Sequence, residues 1–363
     1  MNLNPIVRDD LRSIHAAVGN RPAWDGGILL VTGCAGFLGF YLIQYFLHYA
    51  EQLGIRKVIG LDNFLFGKPS WLLQLTETYP NLLSLRAFDV SRDRIEEVDG
   101  ARDVRYVIHG ASIASPTFYR RYPLATIDAN IWGLRRLLDF YHDSKQLRGF
   151  LFFSSSEVYG EPDPRFIPTP EEYRGNVACL GPRACYDESK RFGETLSYVF
   201  AQTYDMPVII ARPFNNYGPG MRPDDRRLPA DLAEAVVSGR DITLFSDGSP
   251  TRTYCYVSDA VVGYLLCLLH GKYNYFNIGA DMPELSVREL AELYRVAGAE
   301  ARGYAGKVHY ETSRDPEYLA HNPNRRCPDI RKARRELGYD PQIDVEHGVR
   351  RHLQFLGSAQ TSI

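Results

Sequence analysis

Residues 28–32, Ile-Leu-Leu-Val-Thr, run directly into Gly33-Cys-Ala-Gly36-Phe-Leu-Gly39, and a helical pattern follows over 37–52. A short all-apolar run ahead of a glycine turn reads as a strand buried on both faces. The three glycines permit a tight turn, a close approach of backbone to a ligand, and close packing of the helix on the strand. The first turn of such a helix carries unpaired N–H groups and takes anions. A strand, turn and helix in this order commit the chain to a parallel α/β sheet with a pyrophosphate site at its first crossover. The bland alternative, a tight turn with no ligand, does not account for the flanking strand and helix.

The same alternation continues. Strands are expected at 57–62, 82–89, 104–109, 150–154 and 207–211, with helices at 122–143 and 186–203. This predicts an α/β fold: a Rossmann-type doubly wound parallel sheet with a smaller mixed α/β C-terminal substrate domain. Asn4 and Pro5, followed by Val7, Leu11, Ile14 and Val18, predict an additional amphipathic helix ahead of the first strand. The expected division is an N-terminal helical extension at 1–25 and a dinucleotide domain at 26–212, rejoined by about 254–274. Segments 213–253 and 275–357 form the substrate domain.

Composition narrows the function. The 42 Lys and Arg nearly balance 44 Asp and Glu, which leaves nucleic acid without electrostatic support. No stretch approaches the roughly 20 apolar residues of a membrane span, and 261–269 is too short. Residues 1–27 contain Asp9 and Asp10 and no apolar run, so they do not read as a signal peptide. The expectation is a cytoplasmic protein with no nucleic-acid or membrane partner. Six cysteines form no C-x-x-C pair, so no metal site is expected and the thiols read as reduced. The 24 tyrosines suit either a sugar and nucleotide pocket or the core.

Tyr186 and Lys190 stand four residues apart and share a helix face. An ammonium beside a phenol lowers its pKa from the ordinary value of about 10. A phenol so tuned takes the proton of a sugar hydroxyl while a hydride leaves the same carbon. Asp62, at the end of the second strand, suits the hydroxyls of an adenosine ribose and repels a 2′-phosphate, favouring NAD over NADP. A helix cap is its alternative role. Asp89 and Val90, after the third strand, are placed toward an adenine edge. The expected cofactor set is Gly33, Gly36, Phe37, Leu38, Gly39, Asp62, Asn63, Asp89, Val90, Tyr186 and Lys190, for NAD. His109, a lone imidazole at a strand end, receives no chemistry.

The glycine spacing, the Tyr-x-x-x-Lys pair and Ser154-Ser-Ser-Glu-Val-Tyr-Gly160 together resemble extended short-chain dehydrogenase/reductases acting on nucleotide sugars. The similarity runs from about 28 to 350. Ala114-Ser-Pro116 with Tyr119, Gly181-Pro-Arg-Ala-Cys-Tyr-Asp-Glu-Ser-Lys-Arg191 and Arg325-Arg-Cys-Pro-Asp-Ile330 resemble the UDP-glucuronate decarboxylases most. The resemblance implies Tyr186 as base, Lys190 as its partner on the nicotinamide ribose, and Ser155 on the sugar 4-hydroxyl. It places Glu157 beside the sugar C5 and carboxylate. It also implies Ser115, Tyr119, Glu157, Asn215, Arg252 and Arg326 as substrate contacts, Asn215 on the diphosphate and Arg326 on phosphate or ribose. For the two arginines, a surface or a salt-bridge role is the bland alternative. Ser156 stands where related 4,6-dehydratases have Asp, so loss of water is disfavoured and loss of CO2 is the natural outcome. A 4-epimerase, a 4-dehydrogenase and a non-catalytic NAD-binding protein remain the alternatives. A homodimer is also implied, with Phe192, Leu196, Val199 and Phe200 either facing a partner or filling the core.

Three features depart from the relatives: the extra N-terminal helix, the basic loop 221–227, and bulky Phe40 and Tyr41 just after the turn.

Overall fold

The computed structural model describes residues 3–19, 24–315, 317 and 320–358. Seven strands form one parallel sheet: β1 (Gly27–Thr32), β2 (Ile55–Asp62), β3 (Leu83–Ala87), β4 (Val104–His109), β5 (Gly149–Phe153), β6 (Val208–Pro213) and β7 (Asn274–Ile278). Their spatial order is β7-β6-β5-β4-β1-β2-β3. The order reverses beside β1, so the carboxyl ends of β1 and β4 open a crevice there. This is the doubly wound Rossmann-type arrangement expected from the alternation.

Helices cover both faces. They are α1 (Pro5–Val18), α2 (Phe37–His48), α3 (Ser70–Thr78), α4 (Pro116–Arg121), α5 (Leu134–Tyr141), α6 (Ala184–Tyr204), α7 (Leu228–Val237), α8 (Val257–Leu268), α9 (Val287–Arg302) and α10 (Val345–Ser358). The strand period of two divides the core. Leu29 and Val31 pack with α2 and α8 on one side. Leu30, Val107, Phe150 and Ile210 pack with α5 on the other. The tyrosine question resolves mainly toward the core, since Tyr45, Tyr217, Tyr264, Tyr294 and Tyr339 are fully buried.

Two expectations need correction. Residues 122–143 are not one regular helix: a helix over Pro123–Ile127 passes through a wide π turn at Asp128–Gly133 before α5. A side chain at Gly133 would collide with Val90, and the turn carries Asn130 inward to donate to Ser189 Oγ at 2.8 Å. The return to the sheet does not stop at 274 either, because residues 275–278 belong to β7 and pair with β6.

The N-terminal expectation at 1–25 falls partly outside the described residues, but α1 lies within them. Asn4 caps it by accepting from the Ile6 N–H at 2.9 Å. Its buried face packs on α2 and α8. Asp10 sits inside that contact and accepts from Tyr41 Oη at 2.5 Å, Tyr256 Oη at 2.9 Å and Arg351 Nη2 at 2.6 Å. The extra helix and the bulky residues after the turn are therefore one feature: Tyr41 is part of the seat on which α1 docks.

The C-terminal part supplies a small sheet. The strand Thr251–Arg252 runs antiparallel to Leu285–Ser286 and parallel to Arg325–Arg326. Its register sets Arg252 directly opposite Arg326. Among the described residues, no helix is long and apolar enough to cross a membrane.

Candidate active site

A cavity of about 1510 Å³ runs from the glycine turn to the small sheet. Its near end is backbone. Gly33 has φ +69°, and a Cβ there would lie 2.6 Å from the Gly110 carbonyl. Gly39 packs tighter still, since its Cβ would sit 2.3 Å from the Cys34 carbonyl oxygen. Gly36 differs. It precedes α2 with no side-chain cap, and a Cβ there would meet only Gly33 O at 3.3 Å. A cradle lined by uncapped N–H groups is therefore kept open by the missing side chain, as a pyrophosphate requires. Phe37 and Leu38 line the same end.

Asp62 braces this turn. Its carboxylate accepts from the Ala35 N–H at 3.0 Å and the Phe64 N–H at 2.8 Å, and burial raises its pKa. It also lines the cavity, so bracing and ribose contact are compatible roles. Asn63 and Asp89 make local turns: Asn63 accepts from Leu65 N–H, and Asp89 accepts from the Ser91 N–H and hydroxyl. Val90 is buried against Gly133.

In the middle, Tyr186 and Lys190 project from the first turns of α6. Lys190 Nζ donates to the Phe153 carbonyl at 2.7 Å and lies 5.6 Å from the Tyr186 ring centroid. The expected lowering of the phenol pKa is not what this arrangement gives. Burial pushes Tyr186 up to about 12, opposed first by a hydrogen bond from Ser155. Burial also brings Lys190 down to about 7. The ammonium is directed at a carbonyl rather than at the phenol, so Ser155 is the nearer influence. Ser155 also accepts from the Glu157 N–H at 3.2 Å. His109 bonds to Thr32 Oγ1 at 2.8 Å, and burial lowers its pKa to about 3, so it stays neutral.

At the far end, Tyr119 stacks on Tyr186, and its hydroxyl is buried with no partner. Glu157 accepts from Arg183 Nη2 at 2.5 Å and Arg326 Nη2 at 2.6 Å. Burial disfavours its charge, but Arg183, Arg326 and Arg252 prevail and hold its pKa at about 2. Arg252 is lowered to about 10 by burial and then by Arg326. Its guanidinium donates to the carbonyls of Thr251, Pro323 and Asn324. Buried guanidiniums that repel one another mark a place for an anion. Neither Arg252 nor Arg326 is a surface arginine, each being only 7% exposed, but Arg326 is in a salt bridge, paired with Glu157. Asn215 has φ 42° and donates to the Thr253 carbonyl at 2.8 Å. Ser115 donates to the Asp225 carbonyl at 2.6 Å, tying the loop after β4 to the basic loop 221–227.

That loop contributes residues the sequence reading did not select. Arg227 forks onto Asp225 and lies 5.5 Å from the Phe37 ring, at the cavity wall. Arg183 was within a quoted stretch, but its spacing to Glu157 is not local. Of the residues proposed for a partner-facing surface, Phe200 belongs to the core at 4% exposed, whereas Phe192 and Val199 are each 47% exposed. Phe200 is therefore no test of an interface.

Residues 29–279 match the NAD dependent epimerase/dehydratase family. UDP-glucuronic acid decarboxylase 1 of Arabidopsis thaliana is 34% identical over 324 residues, covering 89% of this chain and 68% of that protein. UDP-glucose 4-epimerase of Thermotoga maritima, solved with UDP-glucose, superimposes with a TM-score of 0.78 at 26% identity, over 92% of this chain and 99% of that one. The dTDP-glucose 4,6-dehydratase of Streptomyces venezuelae, solved with NAD, gives 0.76 at 25% identity, over 90% and 96%.

Proposed function

The chain belongs to the NAD dependent epimerase/dehydratase family, and from that premise we propose that it oxidises the C4 alcohol of a nucleotide sugar. The finer reading is decarboxylation of UDP-glucuronic acid, through a 4-keto sugar, to UDP-xylose. One observation carries it: the Tyr186 phenol and Ser155 open on the same cavity as Glu157 and three buried arginines, Arg183, Arg252 and Arg326. That cavity suits a substrate with both a diphosphate and a carboxylate. The Arabidopsis relative, which carries decarboxylase in its name, supports the same choice.

The glycine cradle fits a dinucleotide pyrophosphate, with Gly33, Gly36, Phe37, Leu38 and Gly39 beneath it and Asp62, Asn63, Asp89 and Val90 toward the adenosine. NAD, when bound, supplies the hydride acceptor and donor at C4. The protein's own residues do the rest. Tyr186 takes the 4-hydroxyl proton as phenolate and later returns it; burial alone holds the phenol protonated, and the positive charge of bound NAD would favour the phenolate. Lys190 holds the nicotinamide ribose and adds its charge to the pocket. Ser155 bonds the oxygen at C4, first as hydroxyl and then as ketone. A carboxylate β to that ketone loses CO2 because its electrons delocalise onto the carbonyl oxygen, and the resulting enolate takes a proton from water at C5, which restores the ketone for reduction at C4. Tyr186 and Ser155 stabilise that oxygen, and each 1.4 kcal/mol they contribute is about tenfold in rate. Ser156 offers no acid to expel a 6-hydroxyl. Tyr119, Ser115 and Glu157 enclose the sugar, and Asn215, Arg252 and Arg326 bind the diphosphate side.

A 4-epimerase is the second reading, favoured by the fold likeness to UDP-glucose 4-epimerase. We propose further that the protein is a homodimer, through a face of α6 bearing exposed Phe192 and Val199. Its six unpaired cysteines suit a reducing cytoplasm.

The deciding experiment incubates the protein and NAD with UDP-glucuronic acid and reads the sugar nucleotide by mass spectrometry. A product lighter by CO2 and at the alcohol level is expected. Unchanged mass with inversion at C4 would make it an epimerase; no change at all would move the question to other sugar nucleotides.

A further inference from the structure

Asp187, Arg183, Glu157 and Arg326 form a row of alternating charge that starts on α6 and ends in the small sheet. Arg183 stands just before α6 and Asp187 one turn into it, so the two share a face. Arg183 Nε lies 3.6 Å from Asp187 Oδ2. Arg183 Nη2 and Arg326 Nη2 both donate to the same oxygen, Oε2 of Glu157, at 2.5 and 2.6 Å. The Arg183 guanidinium also lies 5.8 Å from the ring centroid of Tyr119, the residue stacked on Tyr186. Arg183 lines the cavity, as do Glu157 and Arg326.

We infer that Arg183 is a positioning residue: it clamps Glu157 between the helix that bears Tyr186 and the strand that bears Arg326, with the Asp187 carboxyl group facing its Nε. The clamp's bearing on catalysis rests on the proposed function; its geometry does not. A carboxylate on a flexible stem samples several rotamers, and two guanidiniums on one oxygen leave it one. A planar fork presents Nη2 to Glu157 and Nε to Asp187 in one fixed geometry, which a point ammonium cannot.

The clamp also fixes charge. Glu157 faces Arg183, Asp187 and Tyr186 from α6, Arg326 and Arg252 from the small sheet, and Tyr119 from α4. Arg183 is the largest of the influences that keep it ionised. Asp187, by contrast, is pushed up to about 7 by burial and by Glu157. The Arg183 guanidinium favours the charge on both carboxyls, and burial together with Glu157 outweighs it only at Asp187. A purely structural Arg183, serving only to pin the start of α6, predicts a loss of stability and nothing else.

The test is a carboxyl-carbon NMR titration of protein labelled with 13C-glutamate, with Glu157→Gln assigning the resonance. The wild type should show Glu157 ionised down to the lowest pH the fold tolerates. Arg183→Gln should raise its midpoint by about one to three pH units, the usual reach of a close opposite charge. Arg183→Lys should restore part of that shift, and Arg183→Met with Asp187→Asn gives a second route if the single variant folds poorly. With UDP-glucuronic acid, Arg183→Gln should lower kcat about tenfold or more, with KM changed less, and move the acid limb of the rate profile upward. A folded Arg183→Gln protein whose Glu157 titrates as in the wild type overturns the inference. If the wild type does not turn over UDP-glucuronic acid, the proposed function fails alone, because the titration needs no substrate.

Discussion

The rings of Tyr119 and Tyr186 stack with centroids 5.0 Å apart and planes 13° from parallel. Tyr119 comes from α4 after β4, Tyr186 from the start of α6, so the stack joins the substrate loop to the helix that bears the base. The Tyr119 hydroxyl is buried and unpartnered. Such a group costs about 1–3 kcal/mol in the free protein. A native structure keeps that cost where a ligand relieves it.

Tyr119→Phe keeps the stack and removes the hydroxyl. Urea unfolding should find the variant as stable as the wild type, or more so by about 1 kcal/mol. KM for the nucleotide sugar should rise about tenfold, equivalent to one lost hydrogen bond of about 1.4 kcal/mol, with kcat little changed. Tyr119→Leu also loses the stack and should lower kcat. An unchanged KM in Tyr119→Phe would remove Tyr119 from the substrate contacts.

Lys190 ties stability to pH. Burial lowers its pKa from 10.5 to about 7. Between these values the unfolded chain holds a proton that the folded one has released, so the lysine's contribution to stability rises with pH across that window. Below pH about 7 both states are protonated, and the burial penalty on the folded state is complete. Lys190→Met removes both the penalty and the bond to the Phe153 carbonyl, so the pH dependence of its difference from wild type is that of the Lys190 titration. The variant's stability relative to wild type should be most favourable near pH 6.5 and decline toward pH 9.5. Equal differences in urea midpoint at pH 6.5, 8 and 9.5 would refute the assignment.

Asp10 holds the N-terminal helix on the domain. It is 1% exposed and binds Tyr41, Tyr256 and Arg351 at once. Removing one member of a buried charged network costs about 3–5 kcal/mol. Asp10→Ala should therefore lose about 3 kcal/mol of stability and free α1, seen as faster amide exchange over residues 5–18. Because Tyr41 lies on α2, the release should also loosen the helix that follows the glycine turn. Exchange confined to α1, with α2 unchanged, would show that the two are not coupled.

Much of the fold was legible because local rules and tertiary packing agree. The all-apolar strands and the glycine turn fall where period and turn chemistry put them. The strand at 104–109 is matched residue for residue by β4. The wide turn at Asp128–Gly133 was not legible, because the groups packed against it, Val90 at Gly133 and Ser189 at Asn130, are distant in sequence. The site divides the same way. Tyr186 and Lys190 are local to one helix, so their pairing was legible in the sequence. Arg183 and Glu157 are separated by 26 residues, and only the fold brings them together. Asp10 reads only as a mark against a signal peptide, because nothing in the sequence announces the tyrosines that bind it.

Gly36 and Gly39 give the sharpest contrast between ligand and fold. A Cβ at Gly39 would sit 2.3 Å from the Cys34 carbonyl oxygen, backbone against backbone, with no flexible atom to yield. Gly39→Ala should therefore destabilise the protein by several kcal/mol, since overpacking a rigid contact typically costs about 1–3 kcal/mol and occasionally more. At Gly36 the new methyl meets only Gly33 O at 3.3 Å and otherwise enters the cradle. Gly36→Ala should unfold in urea near the wild-type midpoint, while its NAD affinity, read by fluorescence titration, falls about tenfold or more. The methyl displaces pyrophosphate oxygens from the first N–H groups of α2, and that contact is made only with ligand present. Equal losses of stability at both positions would mean that the turn is built for packing alone, and the cradle would lose its claim to the dinucleotide.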